Sequence, residues 1–347
     1  MNYFYTTFIP GLQDLIAETV KQRLSGVKIR KLLDGAVLFE TETSYDKLNF
    51  FCFNNVFAVI SIMEYAEGST SLEKHIKSAI NGSGAEEVIA NNSGKIKSFR
   101  VVFSRENVPA SVDERLRLEA EKYISRVGAL KIDRSLPDTE FWFLFRREDE
   151  HGGKNFSVFM KRLTLRPSWE KSLHKGELPP PLAWALCRIA RLSHGETVLD
   201  PFCGYGSIPQ AALKHFHVTK FIACDSDKKA ASYTAAGFKK RNRDDFILHN
   251  CDFYSLPSLV AEKNIDAIVT DPPWGHYREI DGNAFYAKMF TVFEKLLKDG
   301  GRAVVLCANK DEFLKAVPGC FNLENSVPIL LSGKKTVIFE FILKNNY

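Results

Sequence analysis

From residue 182 to about 316, helix and strand patterns alternate without a break, and the chain then closes with two strands joined by only three residues. This rhythm limits the fold more than any other feature. Helices are expected at 182–193, 206–216, 228–241 and 283–298. Strands are expected at 196–200, 219–225, 245–250, 265–270 and 302–308. Such alternation builds a parallel, doubly wound sheet covered by helices on both faces. Ser326–Leu331 and Lys335–Leu343 read as strands, but Ser332-Gly333-Lys334 between them is too short for a crossover helix. The final pair must therefore be antiparallel.

Residues 1 to about 165 have a different texture, a mixed α+β pattern. Phe4–Phe8 is an expected strand. A helix at about 11–24 places Leu12, Leu15, Ile16, Thr19 and Val20 on one face. A strand at Ala36–Glu40, a helix near 44–52 and a strand near 56–65 follow, which is split-βαβ order. A further helix near 71–80 precedes a strand at Phe99–Phe103, a helix from Asp113 to about 127, and strands at Phe141–Phe145 and Phe156–Met160. The polar run Glu148–Gly153 joins the last two as a hairpin turn. Pro167, Pro179, Pro180 and Pro181 mark a linker at 166–181. The expected division is 1–66, 67–165, the linker, and 182–347. The length of 347 residues independently favours two or three domains.

Composition removes several classes. Apolar residues are 45% and charged residues 26%, which excludes a disordered tail, a coiled coil or a fibre. No apolar run approaches the ~18 residues of a membrane-spanning helix. The first residues lack a basic and then apolar leader, so secretion is not expected. The seven cysteines are scattered and none forms a C-x-x-C pair, which argues against zinc and suits a reducing, cytoplasmic setting.

The chemistry gathers at the ends of successive strands. Thr197-Val198-Leu199-Asp200 runs into Pro201-Phe202-Cys203-Gly204-Tyr205-Gly206 and a helix start. In an open α/β sheet the ligand lies beyond the carboxyl ends of the strands, and glycine lets it touch the backbone. A dinucleotide fingerprint would want Gly or Ala three residues after Gly206, where Pro209 stands, which counts against NAD. The next strand ends at Asp225-Ser226-Asp227, 25 residues after Asp200, near the offset of an acid that grips ribose hydroxyls. One of Asp225 and Asp227 is expected to do this, with Asp225 at the tip, while the other caps the following helix. The third strand leads to Asp252-Phe253, an acid able to accept from an exocyclic amine and a ring able to flank a base.

The fourth strand ends in Asp271-Pro272-Pro273-Trp274-Gly275. Two prolines fix the backbone and donate no hydrogen bonds, so the Asp271 carboxylate and the Pro272 carbonyl can both accept from one amino group. Trp274 offers a stacking face worth ~1–3 kcal/mol to a base.

Taken together these motifs resemble the class I S-adenosylmethionine-dependent methyltransferases, and the Asp-Pro-Pro-aromatic form is similar to the branch that methylates exocyclic amines of bases. The first half, with Leu163–Pro167 leading to Gly176–Pro180, resembles the THUMP-containing RNA methyltransferases. The resemblance implies a seven-stranded Rossmann-like methyltransferase domain preceded by ferredoxin-like and THUMP domains. It implies transfer of a methyl group to guanine N2, with RNA, foremost tRNA, as partner. Gly204 and Gly206 would approach the methionine part of the cofactor, beside Phe202. Asp200 would hold the amino group, Asp225 the ribose, and Asp252 with Phe253 the adenine. Asp271, Pro272, Pro273 and Trp274 would carry the reaction, with no metal required. A monomer is compatible with all of this.

Rival readings remain in view. The same four residues would serve adenine N6 in RNA or DNA, or guanine N2 in rRNA. Val304–Asn309 faintly resembles a Ser-Cys-Asn motif of covalent C5 chemistry, with Cys307 as nucleophile but Leu306 in place of Ser and Ala308 before Asn. A non-catalytic RNA-binding protein with a degenerate domain, and a dehydrogenase, fit less well. For RNA contact, the strip Lys161, Arg162 and Arg166 is favoured, followed by Lys95, Lys97 and Arg100, and by Lys239–Arg241 with Arg243. Bulk charge does not make the argument: of the net +5, residues 1–170 carry +1 and residues 171–347 carry +4.

Overall fold

A computed structural model describes residues 1–345 except 46, 49–50, 66–70, 83–84, 92–95, 148–153, 165–172, 241–243 and 275–281. The expected turn at 148–153, and Lys95, Arg166, Arg241 and Arg243, thus lie outside the described residues. The chain divides into two compact units, one of Met1–Phe8 with Ile16–Ser168 and one of Ile9–Leu15 with Trp169–Tyr347. No helix among the described residues is long and apolar enough to cross a membrane.

The first unit is built on one sheet. Its strands are β1 (Asn2–Thr7), β2 (Lys28–Leu33), β3 (Ala36–Thr41), β4 (Asn55–Glu64), β5 (Ser98–Arg105), β6 (Val108–Pro109), β7 (Lys131–Ile132), β8 (Thr139–Arg146) and β9 (Phe156–Arg162). The order is β2-β3-β1-β4-β9-β8-β5-β6, with β7 against β5. Four helices join it: α1 (Gln13–Arg23, whose first three residues belong to the second unit), α2 (Leu72–Asn81), α3 (Glu86–Ala90) and α4 (Glu114–Gly128). Asp113 starts α4 by accepting from the Arg115 and Leu116 amides. Aromatic rings fill the space under the sheet, with Phe143 stacked on Phe159 at 4.2 Å between centroids. Two expectations change here. The described residues of 44–52 form turns and no helix, and β2, an edge strand along which exposed and half-buried residues alternate, was not foreseen.

The second unit carries the expected sheet. Its helices are α5 (Pro180–Ile189), α6 (Ser207–Ala211), α7 (Lys228–Lys239), α8 (Leu256–Leu259), α9 (Gly282–Leu296) and α10 (Lys310–Lys315). Its strands are β10 (Thr197–Asp200), β11 (Lys220–Cys224), β12 (Phe246–His249), β13 (Ile265–Thr270), β14 (Leu297–Cys307), β15 (Phe321–Leu331) and β16 (Lys334–Leu343). They order as β12-β11-β10-β13-β14-β16-β15. The first five are parallel, and β16 is antiparallel to both β14 and β15. The helix expected at 206–216 is α6 continued by a π-turn at Ala212–Phe216. The order in which successive strands are laid down reverses between the parallel neighbours β10 and β13, so the crevice for a ligand opens at their carboxyl ends.

Residues Ile9–Leu15 belong to this unit because they dock along β15. The Leu330 amide donates to the Pro10 carbonyl at 3.1 Å. Gly11 is required there: its φ is +97°, and a Cβ would fall 2.1 Å from the Pro328 carbonyl oxygen.

Candidate active site

Asp200, Asp225, Asp252 and Asp271 all stand at or just beyond the carboxyl ends of neighbouring strands. The register sets Asp200 opposite Ala223 and Cys224 opposite His249. β10, β11 and β13 are buried apolar runs up to their ends, while β12 at the sheet edge is half-buried, and an acid stands at or just past each tip on the ligand side of the sheet.

Asp200 is fully buried. Its Oδ1 accepts from the Thr270 hydroxyl at 2.6 Å and from the Phe202 amide at 3.1 Å. Its Oδ2 is buried and has no hydrogen-bond partner among the described residues. Burial pushes this carboxyl up to about 7; the Thr270 and Phe202 hydrogen bonds work the other way, and the Asp225 carboxylate adds to the rise. An unpaired buried oxygen of this kind suits a ligand that brings a cation.

The glycine turn wraps onto the second acid. The Gly204 amide donates to Asp225 Oδ2 at 2.7 Å and the Asp227 amide to Asp225 Oδ1 at 2.8 Å. Both oxygens keep a further lone pair for hydroxyl donors. Burial raises the Asp225 carboxyl too, against those two amides. Asp227 takes the other expected task and caps α7 through the Lys229 and Ala230 amides. A Cβ on Gly204 would meet nothing within 4 Å, so the backbone there is open to a ligand. Gly206, at φ +86°, is packed instead: a Cβ would come within 2.9 Å of Thr234 Cγ2. Tyr205 between them stacks on His174 at 4.2 Å.

At the third tip Asp252 is exposed and caps a short 3₁₀ turn, accepting from the Tyr254 amide at 3.2 Å. Phe253 departs from expectation. It is 5% exposed, and its ring is occupied by Phe202, Tyr254 and Phe285 rather than presented as an open face. The exposed aromatic is Tyr254, which the sequence reading passed over; Lys288 Nζ lies 5.5 Å above its ring.

The fourth tip holds Asp271, Pro272, Pro273 and Trp274. Pro272 is buried, and the other three are half-buried. Asp271 Oδ1 is buried and meets no donor at hydrogen-bonding geometry among the described residues. Burial lifts the Asp271 carboxyl well above the usual range, the Asp200 carboxylate lifts it further, and the Trp274 indole opposes both. The carbonyl of Trp274 accepts from Asn309 Nδ2 at 3.4 Å, which pins the turn to the end of β14. Behind it, the Tyr286 hydroxyl lies 3.9 Å from Cys307 Sγ. Cys307 is fully buried, and burial raises its thiol to about 11, so it is a core thiol and a poor nucleophile.

The expected RNA strip needs correction. Lys161 is 1% exposed, and its Nζ donates to the carbonyls of Val88, Ile89 and Asn91 around the end of α3. Arg162 is also buried, paired with Glu140 at 3.1 Å and bonded to the Thr164 hydroxyl. β9 lies inside the sheet and is buried along its whole length, so these cations serve the interior and cannot reach a phosphate. Arg100 is likewise engaged with Glu140, while Lys97, Lys239 and Lys240 are exposed.

Residues 167–325 match the family model described as RMKL-like, methyltransferase domain. A tRNA (guanine(10)-N2)-dimethyltransferase of Methanocaldococcus jannaschii is 33% identical over 164 residues, 46% of this chain and 45% of the relative. The chain thus matches less than half the length of that relative. A probable tRNA (guanine(10)-N2)-dimethyltransferase of Methanothermococcus thermolithotrophicus is 31% identical over 37% of this chain and 80% of its own length. The crystal structure of TrmN from Thermus thermophilus superposes with a TM-score of 0.78 at 21% identity, covering 99% of this chain and all of that one, which establishes a common fold. With the site geometry and a relative matched over most of its length, the chain belongs to the RMKL-like methyltransferase family.

Proposed function

We propose that this protein is an S-adenosylmethionine-dependent RNA methyltransferase that modifies guanine N2, with tRNA as the leading substrate. The observation that carries the reading is the Asp271 carboxyl, half-sunk behind two prolines at the strand tip next to the cofactor acids. Relatives named as tRNA guanine-N2 methyltransferases support it. We read residues 1–66 as ferredoxin-like and 67–165 as a THUMP module that recruits RNA, with 182–347 as the catalytic domain. The β2-β3-β1-β4 order supports the first assignment.

When bound, S-adenosylmethionine supplies an electrophilic methyl on a sulfonium. Asp200 Oδ2 would take the cofactor's amino group, Asp225 its ribose hydroxyls and Asp252 its adenine amine. The guanine amine is a poor nucleophile because its lone pair is delocalised into the ring. Two hydrogen bonds from it, to Asp271 and to the Pro272 carbonyl, would turn the nitrogen toward tetrahedral geometry and aim the lone pair. Holding it in line lowers the barrier by several kcal/mol more, of order the positioning effects known for bound reactants. As positive charge grows on nitrogen, a carboxylate whose proton affinity has been raised by burial becomes a fitting acceptor for the released proton.

The purified protein incubated with S-adenosylmethionine and unmodified tRNA should yield N2-methylguanosine on nucleoside mass spectrometry. N6-methyladenosine alone, or no methylated nucleoside despite cofactor binding, would overturn the assignment.

A pH dependence follows from Asp200. Its carboxyl sits near 7 rather than 3.8, so below pH 7 the free protein carries it protonated, and a cationic amino group must displace that proton. Affinity for S-adenosylhomocysteine should fall by up to about tenfold per pH unit below 7 and level off above it. In the free protein the same raised value costs stability as pH climbs from about 4 to about 7, because the unfolded carboxyl ionises first. Calorimetric titrations between pH 5.5 and 8 test this, and a profile no different from that of Asp200→Asn would refute it.

A further inference from the structure

Cys224 and Cys251 sit one residue before Asp225 and Asp252, the two acids assigned to the ribose and the adenine. They come from adjacent parallel strand ends, and their sulfurs are 3.5 Å apart. The Cys224 thiol also points at the Cys251 carbonyl, Sγ to O 3.1 Å. Cys224 is fully buried, while Cys251 is partly exposed. We infer that Cys224 and Cys251 form a reversible disulfide under hydroperoxide, and that this bond disables the nucleotide end of the cofactor site. The inference rests on the cofactor assignment above.

The chemistry balances without a metal. The partly exposed Cys251, as its thiolate, attacks the hydroperoxide oxygen and becomes a sulfenic acid, and the peroxide leaves as water or an alcohol. The Cys224 sulfur then attacks the Cys251 sulfur, the S–O bond breaks, and the hydroxyl leaves as water with the Cys224 proton. Two thiols lose two electrons and the peroxide gains them. Burial raises the Cys224 thiol far above its ordinary range, so Cys251 is the entry point and Cys224 acts only once the sulfenic acid is beside it.

The bond moves groups that hold the site. The sulfurs must close from 3.5 Å to about 2.05 Å. Cys224 loses its contact with the Cys251 carbonyl, and the turn carrying Asp252 is drawn toward β11. The same turn contains Asn250, whose Nδ2 donates to the Asp225 carbonyl at 2.8 Å, so Asp225 is disturbed as well. Neither acid then keeps its spacing to the other.

The full-length protein is first titrated with S-adenosylhomocysteine under reducing conditions, then after hydrogen peroxide, then after dithiothreitol. Peptide mass spectrometry without reduction should find a Cys224–Cys251 cross-link, and affinity should fall at least tenfold and return on reduction. Cys251→Ser should bind as the parent does and lose the peroxide response; Cys320→Ser should keep it. No binding by the reduced parent would overturn the cofactor assignment itself. Binding with no such cross-link, or with a cross-link and unchanged affinity, would overturn this inference alone.

Discussion

Replacing Asp271 with alanine should lower the methyl-transfer rate by roughly three orders of magnitude while leaving cofactor affinity near that of the parent, the scale on which a positioned acceptor acts. Alanine removes the acceptor that turns the amine and takes its proton, and the Pro272 carbonyl alone cannot do both. Asp271→Asn should fall between the two, since an amide oxygen can orient the amine but carries no charge. Single-turnover transfer of a labelled methyl group separates this from any change in product release. A rate within threefold of the parent would refute the role.

The acids were legible because a strand buried on both faces is a plain apolar run, and the first acid after it marks the ligand side of the sheet. The same reasoning placed Asp227 as a cap and the last two strands antiparallel. What supports the acids was not legible. Thr270 bonds Asp200 across 70 residues of sequence because β10 and β13 are neighbours in the sheet, an adjacency that local pattern does not encode. Phe253 looked available for a base because it follows an acid, but Phe202 and Phe285 arrive from distant segments and enclose it. Lys161 and Arg162 looked like an exposed strip for a similar reason. A basic run usually marks a solvated face, and only the pairing of β9 on both sides, with α3 carbonyls facing Lys161, turns it inward.

That inward turn makes Glu140 the point on which the first unit's sheet is most easily broken. Glu140 is fully buried on β8. Its Oε1 accepts from Arg100 Nε at 2.7 Å, and its Oε2 from Arg162 at 3.1 Å and from the Trp142 indole at 3.1 Å. One carboxylate thus satisfies two guanidiniums and an indole from three adjacent strands. Glu140→Ala removes a carboxylate partner of the buried Arg162 guanidinium, and breaking a buried pair from one side costs about 3–5 kcal/mol. At about 2–4 °C per kcal/mol for a unit of this size, the unfolding midpoint should drop by roughly 6–20 °C. Glu140→Gln should lose less, because the amide oxygen still accepts from the indole or a guanidinium. The double variant Glu140→Leu with Arg162→Met should recover much of the loss, since apolar pairs of similar volume replace buried ion pairs at little net cost. Thermal unfolding of the three variants by circular dichroism decides the matter. A midpoint within 2 °C of the parent for Glu140→Ala would mean that water or another acceptor already satisfies Arg162. A double variant no better than Glu140→Ala would mean that the carboxylate matters for packing and not for charge.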